Sequence, residues 1–274
     1  MAIQVRVDPE HGGRWTSLRA ANGREWLWLR QLPERDTVRP GDRFVDAGGL
    51  EECIPTIGGV PDHGDAWARP WVPDGDALVV HGAGYELCRR ITTHADSAVA
   101  DYRLRAEPGW RFIWAAHALI EVSTSARLLA PPGHAVVVGT PDGTTRAAWP
   151  GTPERDLSLL GPADGTALML YLLDLHEITV VDGNDRLTMR LRVSGQPAGI
   201  AIWRNLGGWP EPHPYRSIGV EPLLGHAGDL TLAGPGQTAA VPRSGTLEWS
   251  LLISTTGEGS GGQPAPLAPS RSRR

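Results

Sequence analysis

Glycine and proline interrupt this chain so often that a long regular element has little room to form. The 274 residues include 34 glycines and 24 prolines, and turn sequences such as AANG, PDG, PADG and VDGND separate short apolar runs. Proline removes a backbone donor and glycine favours turns, so no segment predicts an amphipathic helix of roughly 12 or more residues. Many short strands joined by such turns predict an all-β sandwich or barrel.

The apolar runs have the alternation of strands that are buried on one face. In RLTMRLRV, Arg186–Val193, apolar side chains alternate with arginine and threonine, which predicts a half-buried antiparallel strand. Comparable runs predict strands at Ile3–Val7, Trp26–Leu29, Ala77–Val80, Val99–Arg105, Phe112–Val122, Leu168–Leu173, Ile200–Trp203 and Thr246–Ile253. We predict a single sandwich domain over residues 1–256, and a disordered Gly/Pro/Ser/Arg tail over residues 257–274.

Composition excludes several classes of function. The formal net charge is −5 and no basic cluster precedes the tail, so a nucleic-acid partner is not expected. The 26 basic residues are all arginine, which excludes Schiff-base and P-loop lysine chemistry. Two cysteines, Cys53 and Cys88, are too few for a disulfide framework or a zinc tetrad. With no signal-peptide pattern and no membrane-length apolar run, we expect a cytoplasmic protein with reduced thiols and no membrane contact.

The segment Gly48–Trp71 carries more functional side chains than a plain connection needs. It holds His63, Trp67 and Arg69 among glycines and prolines, a composition typical of a long ordered loop on a rigid scaffold. Aromatic faces beside an imidazole and a guanidinium suit a polyhydroxylated ligand such as a sugar. A tryptophan-anchored surface loop with solvated charges is the alternative, and the segment alone favours neither.

Two titratable residues interrupt apolar strands. His117, in FIWAAHALIEV, is predicted to share a face with Ile113, and such a residue is often a core histidine. An imidazole with a reference pKa of about 6.5 also suits general acid catalysis. Glu221, in SIGVEPLLG, precedes Pro222, which predicts a strand end or a bulge there. Burial of that carboxylate would raise its pKa towards that of a useful base, whereas a rim position would leave it solvated.

A third candidate segment is Ile202–Tyr215, IWRNLGGWPEPHPY, which combines Trp203, Asn205 and Trp209 with a Gly/Pro loop. Aromatic faces and amide groups are good contacts for a sugar, and they are equally ordinary anchors of a loop. The segment is therefore a weak signal when taken alone.

In order and spacing, these motifs resemble the galactose mutarotase-like superfamily of aldose 1-epimerases. The resemblance is carried by the opening hairpin Gly12–Leu29, the His-Gly pair at His63, the WxxH strand ending at His117, and the Glu-Pro pair at Glu221. It implies a large antiparallel β-sandwich, a sugar or sugar-phosphate substrate, no metal or organic cofactor, and a monomer or homodimer.

The resemblance also implies roles for individual residues. Glu221 would take the proton of the anomeric hydroxyl, and His117 would protonate the ring oxygen, so that the ring opens and closes on the other face. His63 would bind near the ring oxygen or a hydroxyl. The implied substrate-binding set is His63, Arg69, Trp67, Trp203, Asn205 and Asp174, in which Asp174 is placed only by order as the hydroxyl-gripping aspartate.

Other functions remain open at this point. The same sandwich could bind a sugar without turnover, or could carry another isomerase or a lyase for a specialised substrate, with Tyr215 beside the Glu221 strand. Arg14, Arg43 and Arg69 are candidates to bind a substrate phosphate. A cupin-like metal site is the least favoured reading, since no HxH pair is followed by a spaced glutamate.

Overall fold

The computed structural model describes residues 2–140, 143–152 and 155–257 of the chain, and these are mostly extended. The first strands in chain order are β1 (Gln4–Asp8), β2 (Arg14–Arg19), β3 (Leu50–Cys53), β4 (Val72–Asp74), β5 (Ala77–Gly82), β6 (Tyr85–Thr93), β7 (Ser97–Ala106), β8 (Arg111–Phe112), β9 (Trp114–Leu119) and β10 (Arg127–Leu129). The remaining strands are β11 (Ala135–Thr140), β12 (Gly143–Ala148), β13 (Gly151–Thr152), β14 (Arg155–Asp156), β15 (Thr166–Leu173), β16 (Glu177–Asp182), β17 (Asp185–Arg192), β18 (Ala198–Leu206), β19 (Arg216–Leu224), β20 (Ala239–Ala240) and β21 (Thr246–Thr256). The described helical elements are two short 3₁₀-helices, Pro33–Thr37 and Ala66–Ala68.

Two large antiparallel sheets form the molecule. The nine-stranded sheet has the order β1-β2-β3-β9-β19-β18-β15-β11-β12, and the eight-stranded sheet has the order β10-β16-β17-β21-β7-β6-β5-β4. The short pairs β8–β20 and β13–β14 stand apart from them. The predicted all-β sandwich is confirmed.

The main core lies between the facing sheets. On β9 the even-numbered side chains, such as Trp114 and Ala116, join the main apolar cluster, which also takes Leu251 and Ile253 from β21. The odd-numbered neighbours Ile113 and Ala115 belong to a second, smaller cluster on the other face of the nine-stranded sheet. The strand period of two therefore gives this sheet two buried faces, and the second one carries the candidate site.

Two local predictions are wrong. Trp26–Leu29 is not a continuous strand and forms isolated bridges at Leu27 and Leu29. The Glu25 carboxylate accepts the amide hydrogen of Leu27 and shares that of Trp26 with the backbone oxygen of Leu18. Pro222 neither ends nor bulges its strand, since β19 continues to Leu224 in unbroken register with β18.

The predicted tail begins at Gly257, and residues 258–274 lie outside the described part of the chain. The single-domain prediction for residues 1–256 stays a prediction. Within the described residues, no helix has the length and apolar character needed to cross a membrane.

Candidate active site

A small cavity of about 160 Å³ opens over the second face of the nine-stranded sheet. Five of its lining side chains are apolar and three can form hydrogen bonds through charged or imidazole groups. The lining residues are Phe44, Asp46, Ile57, His63, His117, Met169, Trp203 and Trp209. Ligand pockets for drug-sized molecules run to roughly 300–1,000 Å³, so this cavity suits a ligand about the size of one sugar ring.

His117 and Glu221 meet at the floor of this region. Nδ1 of His117 lies 3.0 Å from Oε1 of Glu221, and the side chains are buried, with His117 6% and Glu221 0% exposed. Neither oxygen of Glu221 accepts a hydrogen bond from any residue that the structure describes, so the contact is an ion pair without hydrogen-bond alignment. Among the described residues, the pair is thus buried with no hydrogen bond to either carboxylate oxygen or to Nδ1 of His117.

The sheet itself brings the pair together. β9 and β19 pair at Gly219 and Val220 and again at Leu223 and Leu224, but the intervening positions make no ladder pair. Pro222 has no backbone N–H to donate to β9, which accounts for the gap in the ladder at this point. Glu221 and His117 therefore face each other across neighbouring strands, with their side chains on the cavity face.

The contact changes the protonation of His117. Burial alone would favour the neutral imidazole, but the adjacent Glu221 carboxylate outweighs it, helped by Asp46 and Glu51, and raises the pKa of His117 to about 9. His117 is therefore an imidazolium at neutral pH. An imidazolium beside a carboxylate provides one proton donor and one proton acceptor in a single contact.

Glu51 lies on the other side of His117, opposite it in the β3–β9 ladder. Arg35 donates two hydrogen bonds to the Glu51 carboxylate, from Nε to Oε1 and from Nη2 to Oε2, each 3.0 Å long. Burial raises the pKa of Glu51 and the Arg35 guanidinium opposes that shift. With both oxygens bonded to Arg35, Glu51 is not free to accept a proton from a ligand.

His63 forms part of the cavity wall through a hydrogen-bonded pair with its neighbour. Its Nδ1 is 2.8 Å from Oδ1 of Asp62, whose Oδ2 accepts the amide hydrogen of Phe44. Burial lowers the pKa of His63 against the opposing effect of Asp62. A neutral ring that donates Nδ1–H to Asp62 keeps Nε2 as a hydrogen-bond acceptor.

The backbone at this point is constrained. His63 has φ 57°, a conformation that is uncommon for residues other than glycine and is often found at functional sites. The following residue, Gly64, has φ 76°, and a Cβ there would lie 1.9 Å from the carbonyl oxygen of Ile54. Glycine is thus required after His63, and the ring of His63 stacks on Phe44 at 3.8 Å between centroids.

Asp46 is the third polar group of the wall. The hydroxyl of Tyr215 donates to Oδ2 of Asp46 at 2.5 Å. The Tyr215 ring stacks on Trp28 at 5.7 Å between centroids, and the guanidinium of Arg30 lies 4.6 Å from its centre. Three contacts therefore fix Tyr215, and through it they fix the carboxylate of Asp46 at the cavity.

The sequence matches no protein-family model and no curated protein. Solved structures match over nearly the whole chain. A protein from Synechocystis has a TM-score of 0.71 at 15% identity, covering 94% of this chain and 96% of that one. A protein from Escherichia coli that is named as a candidate aldose 1-epimerase has a TM-score of 0.67 at 12% identity, covering 93% and 96%. A galactose mutarotase-like protein from Lactobacillus casei has a TM-score of 0.65 at 16% identity, covering 93% and 97%.

This chain has the galactose mutarotase-like fold. The fold expected from the motif order is thereby confirmed. At these identities the similarity concerns architecture, and the residues of the site must be argued from their own geometry.

The mutarotase-like sandwich places the predicted residues of the loop Gly48–Trp71 at different distances from the cavity. His63 lines it, whereas Trp67 lies behind Phe44 in an edge contact of 4.9 Å and donates its indole N–H to backbone oxygens of Asp62 and Gly64. Arg69 does not line the cavity, and its guanidinium forms an ion pair with Asp65 at 2.8 Å.

Of the residues predicted around β18, some line the cavity and others do not. Trp203 lines the cavity and meets Trp209 edge-on at 5.9 Å. Asn205 is buried and bonds the loop instead: its Oδ1 accepts the amide hydrogens of Gly208 and Trp209, and its Nδ2 donates to backbone oxygens of Trp209 and Tyr215. Asn205 therefore acts on the cavity through the position of Trp209.

Asp174 lies just after β15 and does not line the cavity. Its side chain is 77% exposed, and Oδ1 is 3.1 Å from Nε2 of His226. Asp46, which lines the cavity, was not among the predicted residues. Phe44, Ile57 and Met169 were also missed, although an isolated phenylalanine among charged residues in RPGDRFVD was an available signal.

No group of three or more His, Cys, Asp or Glu side chains within the described ranges is arranged to hold a metal ion. A larger cavity of about 890 Å³ lies on the outer face of the eight-stranded sheet, beside Arg103 and Glu248, which oppose each other in the β7–β21 ladder. That cavity holds no buried acid–base pair, so the smaller cavity is the candidate active site.

Proposed function

We propose that this protein interconverts the anomers of an aldose by acid–base opening and closure of the sugar ring. The observation that carries the proposal is the buried His117–Glu221 pair beside an aromatic-walled cavity of about 160 Å³. Mutarotation requires one proton to be removed and one to be supplied, and this pair has both groups. The mutarotase-like fold supports the same reaction class.

The reaction follows from the two protonation states. Glu221 accepts the proton of the hydroxyl on C1 while His117 donates its proton to the ring oxygen. The bond between C1 and the ring oxygen breaks and C1 becomes an aldehyde carbon. Rotation about the C1–C2 bond presents the other carbonyl face, and closure returns both protons. Holding donor and acceptor beside one ring replaces encounters with free buffer.

In the absence of a sugar the two groups contact each other, and Glu221 does not line the cavity. The C1 hydroxyl and the ring oxygen are attached to the same carbon, so a sugar that enters at His117 can replace the Nδ1–Oε1 contact with two substrate contacts. The imidazolium then faces the ring oxygen and the carboxylate faces the hydroxyl. His63 and Asp46 provide acceptors for other hydroxyls.

The complete burial of Glu221 favours one second candidate, which is sugar binding without turnover. In that case Glu221 would serve only to hold the His117 ring and its charge. The cavity would still bind the sugar, and the pair would never separate.

Exchange NMR on anomer pairs, with wild type, Glu221→Gln and His117→Asn, separates the two functions. Faster interconversion by wild type, lost in both variants while sugar-induced line broadening remains, is the expected result. His134→Asn is the matched control, because His134 is half-buried and bonds the backbone oxygen of Leu173 outside the cavity. Sugar binding by the wild type without faster interconversion would establish binding without turnover. Undiminished interconversion in Glu221→Gln would show that Glu221 is not the base.

A further inference from the structure

We propose that the substrate is an uncharged aldose whose edge remote from the anomeric carbon lacks a hydroxyl or carries a methyl group there. The inference rests on the proposed function and names the substrate class of the same cavity. It follows from the separation of polar and apolar groups across the sheet.

The sheet register separates the two ends of the cavity floor. His117 on β9 faces Glu221 on β19, whereas the adjoining row runs from Gly219 on β19 to Trp203 on β18 and Met169 on β15. Strands lie about 4.8 Å apart, so β18 and β15, which carry Trp203 and Met169, lie roughly 10 and 14 Å from β9 across the sheet. One end of the floor is ionic and the other is apolar.

Gly219 lies at the boundary between these two ends. A Cβ at this position would lie 2.7 Å from Oε1 of Glu221 and 3.0 Å from Cβ of Trp203. The absence of a side chain at Gly219 therefore lets the Glu221 carboxylate and the Trp203 side chain come close together, so the ionic group and the first apolar side chain adjoin each other at this point of the floor.

The wall above the floor follows the same division. The ring of His63 lies 5.2 Å from that of His117, and Phe44 lies 5.5 Å from it, so these groups stand over the ionic end. Trp209 stands beside Trp203 at the apolar end. A sugar whose anomeric centre contacts His117 presents its C3–C4 edge to tryptophan and methionine.

The apolar end of the cavity discriminates between sugars because it offers no hydrogen-bond partner to a hydroxyl group. A hydroxyl pressed against Trp203 and Met169 loses its water without gaining a partner, while a C–H or methyl group there is buried favourably. Trp faces also suit the C–H faces of a sugar ring. A deoxygenated or methylated C3–C4 edge therefore fits better than the fully hydroxylated one.

Charge points the same way. Within the described ranges no arginine lines the cavity. Arg69 is paired with Asp65, and Arg14 approaches Glu51 at 3.9 Å between Nε and Oε1. A substrate phosphate in this cavity would meet the carboxylate of Asp46 and no guanidinium, and the imidazolium of His117 is already paired with Glu221, so an uncharged sugar is favoured.

The test compares kcat/KM for anomer interconversion, above the uncatalysed rate, of D-glucose, 3-deoxyglucose, 4-deoxyglucose, 3-O-methylglucose, 2-deoxyglucose and glucose 6-phosphate. At least one of the sugars changed at C3 or C4 is expected to exceed glucose by about tenfold, the scale of one mismatched group in a pocket. 2-Deoxyglucose, changed beside the anomeric carbon, should show no such gain. Glucose or glucose 6-phosphate as the best substrate would overturn the inference.

Met169→Gln provides the side-chain test, since an amide offers a partner to a hydroxyl at the apolar end. The preference over glucose should fall about tenfold in this variant. Leu173→Gln is the matched control, because Leu173 is a half-buried apolar residue on the same strand and face but outside the cavity lining, and its preference should stay unchanged. Equal effects of the two variants would overturn the assignment of Met169.

Methyl glycosides separate this inference from the proposed function, because they bind but cannot open. Suppose that no sugar is interconverted, but that the methyl glycoside of 4-deoxyglucose broadens NMR lines at a lower concentration than the methyl glycoside of glucose does. The inferred ligand class would then be supported and the proposed isomerase activity would be wrong. If sugars are interconverted and the fully hydroxylated ones are preferred, the proposed isomerase activity would be supported and the inferred substrate class would be wrong.

Discussion

Glu52 and Glu221 are two wholly buried carboxylates of the same sheet, and they differ in what surrounds them. Glu52, on β3, receives hydrogen bonds from Arg89 at 2.7 Å, Tyr102 at 2.9 Å and Trp114 at 2.7 Å. Glu221 has only the unaligned contact with His117 at 3.0 Å. Burial therefore does not distinguish a structural carboxylate from a reactive one, whereas the number and kind of its partners does.

The counter-charges differ as well. Arg89 cannot lose its proton in a protein, so Glu52 is matched with a permanent charge. His117 can lose its proton, so its pair with Glu221 can pass from two charges to one. Proton transfer needs a pair such as Glu221–His117, in which the cation can give up its proton. A structural ion pair in the core is better served by a permanent charge, as in Glu52–Arg89.

The largest effect expected from this contrast is on turnover. Glu221→Gln should lower kcat for anomer interconversion by about 10²–10⁴, the usual contribution of one acid–base group. Stability at neutral pH should fall by less than it does on loss of Glu52, because His117 can become neutral once its partner does, whereas Arg89 cannot. Exchange NMR and urea unfolding on the same preparation measure the two quantities, and a large loss of stability with turnover retained would reverse the roles assigned to the two glutamates.

Glu52→Gln should show the opposite profile. Removing this carboxylate leaves the buried guanidinium of Arg89 uncompensated, and breaking a buried pair in this way costs about 3–5 kcal/mol. The midpoint of urea unfolding should fall accordingly, while kcat of the remaining folded protein stays near that of the wild type. An unchanged midpoint would mean that Arg89 is matched by another group.

The titration of His117 gives the next effect in size. Its pKa is about 9 in the folded protein and 6.5 in the reference state. The contribution of the ion pair to the free energy of unfolding is therefore complete below about pH 6.5 and is lost as pH rises through about 9, by an amount on the order of 3 kcal/mol. Unfolding curves at several pH values should show this loss in the wild type and in His134→Asn, but not in Glu221→Gln; the same slope in all three would assign it to other groups.

The fold was predictable because its signals are local. Alternation in Arg186–Val193 is a property of consecutive residues, and the structure forms β17 there. The wrong predictions arise where a distant or side-chain partner intervenes. The Glu25 carboxylate takes the amide hydrogen of Leu27 and shares that of Trp26 with the backbone oxygen of Leu18. Pro222 is accommodated inside β19 by a gap opposite β9.

The site was predictable only in part, for the same reason. His117 and Glu221 stood out because a charged group within an apolar strand is unusual, and they are 104 positions apart in sequence yet adjacent in the sheet. Asp46 did not stand out, since it lies among other charged residues, and its contact with Tyr215, 169 positions away in sequence, is visible only in the structure. Asn205 and Trp67 look like ligand contacts in sequence, but their polar atoms are bonded to backbone.

The smallest expected effect concerns the role of Asp46 in holding the substrate. The partner of Asp46 is the neutral hydroxyl of Tyr215, which can be removed without leaving a buried charge unpaired. Tyr215→Phe removes the hydroxyl bonded to Asp46 but keeps the ring that stacks on Trp28, so one hydrogen bond is lost, worth about 1 kcal/mol of stability. If Asp46 grips a sugar hydroxyl, its looser carboxylate should raise KM several-fold and leave kcat nearly unchanged. Tyr85→Phe is the matched control, since the Tyr85 hydroxyl donates to Asp65 at 2.6 Å away from the cavity lining. The control should lose stability without any change in KM, and a similar rise of KM in both variants would show that Asp46 has no part in holding the substrate.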